Sequence, residues 1–151
     1  MISLSQARGV VVAEDNDDYR QVLGQILGLY GFSPVRLACD GQEAWDMLQE
    51  APTDLLITDI NMPRMSGVEL MRRTRERWPQ LPIVVITGYE HELHHLDAFD
   101  VRDTLIKPFK MHLLDAVICR IFPQESGAEA PGAPPPVQAI GKEADGTPEG
   151  K

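Results

Sequence analysis

Short apolar runs rich in β-branched residues recur along the chain at Val10 to Ala13, Pro34 to Ala38, Leu55 to Thr58, Ile83 to Thr87 and Thr104 to Ile106. Their length and continuous apolar character predict five buried strands. Between them apolar residues return at helical spacing: Tyr19, Val22, Ile26 and Tyr30; then Ala44, Met47 and Leu48; then Val68, Met71 and Trp78; and last Leu114, Val117, Ile118 and Ile121. Regular alternation of strand and helix predicts an α/β fold with one parallel sheet covered by helices on both faces. Right-handed crossovers then bring ligand-binding groups outside the carboxyl ends of the strands, where the strand order reverses.

The pattern stops at Phe122. Residues 123–151 hold six prolines, Pro123, Pro131, Pro134, Pro135, Pro136 and Pro148, five glycines, and few large apolar residues beyond Val137 and Ile140. One domain over residues 7–122 and a disordered Pro/Gly-rich tail over 123–151 are therefore expected. At 151 residues, 43% hydrophobic and 25% charged, the chain has globular composition. A net charge of -9 excludes a general polyanion binder, so no direct nucleic-acid partner is expected. No signal peptide or membrane-length apolar run stands out, which predicts a cytoplasmic protein with no membrane partner. Cys39 and Cys119 lie outside any C-x-x-C spacing and read as small buried hydrophobes.

Chemistry concentrates where the strands end. Glu14 and Asp15 follow the first strand, Asp59 the third; Thr87 ends the fourth and Lys107 follows the fifth. Two ionised carboxylates about 4 Å apart repel by roughly 4 kcal/mol at an effective dielectric near 20, so three gathered together call for a cation. Magnesium suits carboxylates, a backbone carbonyl and a phosphate oxygen, and Asp15 and Asp59 are the expected direct ligands. A carboxylate can also act as nucleophile toward phosphorus when positive groups offset the charge on the transferred oxygens. Lys107 can supply that charge. It precedes Pro108, whose peptide bond can be cis, and residues 7–122 contain only one other lysine, Lys110. Thr87 offers a hydroxyl to a phosphoryl oxygen.

Taken together, Val10 to Asn16, the run Leu55-Leu56-Ile57-Thr58-Asp59-Ile60-Asn61-Met62-Pro63-Arg64-Met65-Ser66-Gly67, Thr87, and Lys107-Pro108-Phe109 resemble a receiver domain of bacterial two-component response regulators. The resemblance covers about residues 7 to 122. It implies a flavodoxin-like, doubly wound five-stranded sheet, Asp59 as phosphoacceptor, Glu14 and Asp15 as the acidic pair, and Asn61 giving a backbone carbonyl to the Mg2+. It also implies a histidine kinase or histidine phosphotransfer protein as donor, and a downstream protein partner. On this reading the chain is a stand-alone single-domain regulator without an output domain, and no enzyme beyond its own phosphorylation and dephosphorylation.

Two departures stand out. The aromatic residue usual in the family three positions before the lysine is Thr104 here. The interval from Thr87 to Lys107 is slightly short, with Gly88 after the threonine, so a short or poorly ordered fourth helix and a weak allosteric response are expected. These features lend weight to a phosphorylation-independent interaction module. An aspartyl-phosphate phosphohydrolase is disfavoured because Asn61 occupies the position of its general acid. A flavin module is disfavoured by the acidic loop Glu14-Asp15-Asn16-Asp17-Asp18.

Other clusters read as ordinary surface. Arg72, Arg73, Arg75 and Arg77 fall beside Glu69 and Glu76 on the polar side of a helix. His91, His94 and His95 read as an exposed segment rather than a metal site. The last helix carries Met111, Leu113, Leu114, Val117, Ile118, Ile121 and Phe122 around much of its circumference, which suggests a homodimer or partner surface.

Overall fold

The structure, a computed structural model, describes residues 3–89, 93, 96, 101 and 103–123. The expected disordered tail, the three histidines and most of the segment expected to hold the fourth helix lie outside the described residues. Five strands, β1 (Arg8–Ala13), β2 (Phe32–Ala38), β3 (Leu55–Thr58), β4 (Ile83–Thr87) and β5 (Asp103–Ile106), form one sheet in the order β2-β1-β3-β4-β5. All four pairings are parallel. The order reverses between β1 and β3, which places a crevice at their carboxyl ends.

Period-two alternation sorts the strand side chains into two cores. Val10, Val12, Leu55, Ile57, Val84, Ile86 and Leu105 face the first, under helices α1 (Asp17–Tyr30) and α4 (Met111–Ile121). Val11, Ala13, Leu56, Ile83 and Val85 face the second, under α2 (Gly41–Glu50) and α3 (Gly67–Arg77). Both faces are thus covered, which is why the strands read as continuous apolar runs rather than alternating ones.

Each of the first three helices begins at a side-chain cap. Asn16 accepts from the Tyr19 N–H at 2.8 Å, Asp40 from Glu43 at 2.8 Å, and Ser66 from Glu69 at 3.2 Å. Beside this cap the Glu43 carboxylate reaches back to accept the Cys39 N–H, one residue before Asp40, at 2.7 Å. Helix α1 ends at Gly31, whose φ of 109° suits a left-handed cap.

The structure corrects two expectations. On α1 the buried stripe is Leu23, Leu27 and Tyr30, with Tyr19 and Ile26 only partly buried and Val22 52% exposed. The helix is thus rotated about one residue from the simplest apolar spacing, burying Leu23 and Leu27 in place of Val22. Cys39 is exposed and Cys119 half-exposed, so neither is core; Cys39 lies beyond the last residue of β2, in the turn into α2. Trp78, the C-cap of α3, packs partly buried against the second core beside Val68 and Met71, as its spacing suggests.

The arginine cluster is satisfied locally. Arg72 pairs with Glu69 and Glu76, Arg73 with Glu69, and Arg75 donates to the carbonyls of Trp78, Pro79 and Leu81. On α4, Leu113 and Ile121 pack against the first core beside Leu114, Val117, Ile118 and Phe122, while Met111 is 39% exposed. The core absorbs most of that helix's apolar excess.

Two glycines test this packing in opposite directions. A Cβ on Gly41 would lie 2.1 Å from the Met65 carbonyl oxygen, whereas one on Gly28 of α1 would meet nothing within 4 Å. Gly41→Ala is expected to cost about 2–3 kcal/mol through forced backbone displacement. Gly28→Ala is expected to add about 0.5–1 kcal/mol through helix propensity. Urea unfolding of both variants checks the signs.

Candidate functional site

The crevice between the ends of β1 and β3 holds the charged groups. Backbone hydrogen bonds from Glu14 N–H to Ala38 and from Asp59 N–H to Ala13, both 3.0 Å, carry strand pairing one residue past the strand ends. The side chains of Glu14 and Asp59 therefore emerge side by side. Glu14, Asp15 and Asp59 each present a carboxylate oxygen within 4.8 Å of the others; Glu14 and Asp59 are buried and Asp15 is exposed. At that separation each pair of charges repels by about 3–4 kcal/mol at an effective dielectric near 20.

Lys107 offsets part of this. Its Nζ donates to Glu14 Oε1 at 2.8 Å and to Asp59 Oδ2 at 2.9 Å. The Lys107 N–H donates to the Thr87 carbonyl at 2.8 Å, fixing the start of the loop that follows β5 against the end of β4. The Lys107–Pro108 peptide bond is cis. Burial opposes the charge on Lys107, but the hydrogen bonds to Glu14 and Asp59 outweigh it and hold its pKa above the ordinary lysine value.

For Glu14, burial is the dominant influence and raises its pKa, against the hydrogen bonds from Lys107 and from the Asn16 N–H. Those two donors occupy different oxygens, Oε1 and Oε2, at 2.8 and 3.0 Å. Asp59 Oδ1 accepts the Ile60 N–H at 2.6 Å. The site is thus short of positive charge, rich in hard oxygen atoms and open at Asp15. That donor set fits magnesium, which tolerates a partly open shell and keeps waters.

Thr87 is fully buried at the end of β4, and its Oγ1 accepts the Tyr89 N–H at 3.2 Å. Asn61 is exposed, two residues beyond Asp59. Thr104 is partly buried on β5, paired with Val85 of β4. Sequence reasoning missed Tyr19, whose ring lies under Lys107 with Nζ 4.7 Å from its centroid and stacks edge-on with Phe109 at 6.2 Å. Its helical spacing had placed it with the core. The signal that could have found it is position: the first turn of α1, four residues after Asp15, lies beside the strand ends.

Known proteins resemble this chain over most of its length. A family model described as response regulator receiver domain matches residues 10–119. The response regulator receiver protein CpdR of Brucella abortus is 41% identical over 110 residues, which cover 72% of this chain and 89% of that protein. The chemotaxis protein CheY of Pseudomonas aeruginosa is 31% identical, covering 78% of this chain and 98% of that one. The chain spans about half the length of some other response regulators that it matches. Among solved structures, the response regulator TrrA of Thermotoga maritima in complex with Mg(2+)-BeF superposes with a TM-score of 0.70 at 25% identity, over 76% of this chain and 98% of that one.

Removing Lys107 should expose the repulsion it relieves. Lys107→Met is expected to cost about 2–4 kcal/mol in metal-free protein, since two buried carboxylates lose their shared partner. Magnesium in millimolar excess should recover part of the loss by binding linkage. Urea unfolding with chelator and with magnesium checks both statements.

Proposed function

We propose, since this chain belongs to the response regulator receiver family, that it is a phosphoacceptor signalling protein in which Asp59 takes a phosphoryl group from a histidine kinase or histidine phosphotransfer protein. Receiver domains are signalling modules rather than enzymes acting on a separate substrate. The observation that carries the reading is the shared grip of Lys107 on Glu14 and Asp59 at the sheet's switch point, with Asp15 beside them.

In the transfer, a carboxylate oxygen of Asp59 attacks phosphorus and forms the O–P bond while the P–N bond to the donor imidazole breaks. The electron pair stays on the imidazole nitrogen. Lys107 releases its hydrogen bond to Asp59 and turns its ammonium to a phosphoryl oxygen, retaining Glu14 as its anchor. The Thr87 hydroxyl, whose oxygen accepts from the Tyr89 N–H, donates a hydrogen bond to another phosphoryl oxygen. Asp15, Asp59 and the Asn61 backbone carbonyl would hold Mg2+, with Glu14 beside them, and the ion supplies charge neutralisation at the phosphoryl oxygens when bound.

A second reading, a phosphorylation-independent interaction module, draws on Thr104, which stands where the family's aromatic reporter would be. The two readings share a cytoplasmic location and a downstream protein partner. A second copy docking through α4 would meet Met111 as that helix's exposed apolar residue. No helix among the described residues is long and apolar enough to cross a membrane.

Incubation with a radiolabelled histidine-phosphorylated donor domain is expected to move label onto the wild type in an alkali-labile linkage, and none onto Asp59→Asn. Lys107→Ala should slow the transfer by about a hundredfold, as for loss of one preorganised charge at the transferred group. Equal labelling of wild type and Asp59→Asn would refute the assignment. Because Thr104 lacks an aromatic ring to move, amide hydrogen exchange over residues 103–122 should change little on phosphorylation; large protection changes there would contradict a weak response.

A further inference from the structure

The loop between β3 and α3, residues 60–66, carries Asn61 and is tied down at both ends. At its base the Gly67 N–H donates to the Ile60 carbonyl at 2.7 Å, and a Cβ on Gly67 would lie 2.0 Å from the Asp59 carbonyl oxygen. At its tip the chain turns sharply. The Met65 N–H donates to the Pro63 carbonyl at 2.7 Å, and between them Arg64 has a φ of 65°, the one non-glycine residue in the left-handed region among the described residues. An arginine there is strained by its Cβ and stays only if something holds it.

What holds it is Asp40. Arg64 Nε donates to Asp40 Oδ2 at 2.7 Å and Nη2 to Oδ1 at 3.2 Å, a two-point fork onto a nearly buried carboxylate. Asp40 is fixed in turn because it caps α2. Gly41, the next residue, packs against the Met65 carbonyl so closely that no side chain would fit. Among the described residues, this is the only ion pair joining the 60–66 loop to another element. The loop's conformation sets where the Asn61 carbonyl points.

We infer that Arg64 and Asp40 form a positioning clasp for the magnesium site, holding the loop so that the Asn61 carbonyl faces the Asp15 and Asp59 carboxylates. The inference rests on the reading that this carbonyl is a magnesium ligand. Neither Arg64 nor Asp40 touches the ion; each acts through the loop, in the way outer groups orient the ligands of other metal sites.

Charge and positioning predict different signs, which makes the clasp testable. By charge alone, removing Arg64 takes a cation away from a cation site and should tighten magnesium binding, while removing the Asp40 charge should weaken it. Positioning predicts that both weaken it. Arg64→Asn keeps a residue that tolerates positive φ but is too short to fork onto Asp40. Asp40→Asn keeps an equally good helix cap and loses the charge.

The experiment is calorimetric titration of the full chain with magnesium chloride alone, with thermal unfolding in chelator to verify that each variant is folded. Each single variant is expected to bind magnesium about tenfold more weakly than the wild type, and the double variant no more weakly than either single one. Arg64→Lys, which restores the charge without the fork, should recover only part of the loss. Tighter binding in Arg64→Asn, or affinities unchanged in both single variants, would overturn the clasp. Failure of the wild type to take up magnesium would instead overturn the metal-site reading on which it rests.

Discussion

Everything distinctive about this molecule depends on the charge balance at one end of its sheet. Glu14, Asp15 and Asp59 come within 4.8 Å of one another, and one ammonium group, Lys107, is shared between the two buried members. Three carboxylates against one ammonium leave a shortage of positive charge that a hard divalent cation can make good. On the proposed function the cation would relieve the repulsion and offset the charge of an incoming phosphoryl group, which would give Lys107 a new partner. A site left short of positive charge is thereby suited to take up a cation first.

The rest of the fold keeps that deficit in place. Strand order β2-β1-β3-β4-β5 sets the ends of β1 and β3 adjacent, and two apolar cores clamp the sheet from both sides. Burial raises the Glu14 pKa and would favour its protonation, but the hydrogen bonds from Lys107 and Asn16 pull the other way. Around the rim, Tyr19 lies under the Lys107 ammonium and Arg64 grips Asp40. The first of these contacts holds Lys107 against a ring, and the second ties the loop after β3 to the start of α2.

Much of this was legible in the sequence, for physical reasons that can be named. Buried parallel strands need continuous apolar runs, so all five strands announced themselves, with ends off by no more than two residues. Residues placed just past those runs must share one edge of the sheet, which is why Glu14, Asp59, Thr87 and Lys107 could be grouped before any geometry was known. The α1 face was misjudged by about one residue because Val22, Leu23, Ile26 and Leu27 offer two overlapping apolar stripes, and only packing against the sheet chooses between them. The two cysteines were misplaced because apolar character alone does not decide burial near a loop or on the flank of a helix. Arg64 and Asp40 are 24 residues apart, and nothing local signals that they meet.

On the proposed function, Thr104 would separate accepting a phosphoryl group from reporting it. The charged groups of the site lie just past the ends of β1, β3 and β5, with Thr87 at the end of β4, whereas Thr104 on β5 stands where the family's aromatic residue would be. The central claim concerns the first of these alone: that the cluster makes Asp59 a working nucleophile. It is tested most directly by treating the protein with magnesium and a small-molecule phosphodonor, reducing the product with borohydride, and mapping the modified residue by peptide mass spectrometry. The account predicts a single acyl phosphate, located at Asp59. No modification in a protein that binds magnesium, or modification at Asp15 or Asp17 instead, would contradict it.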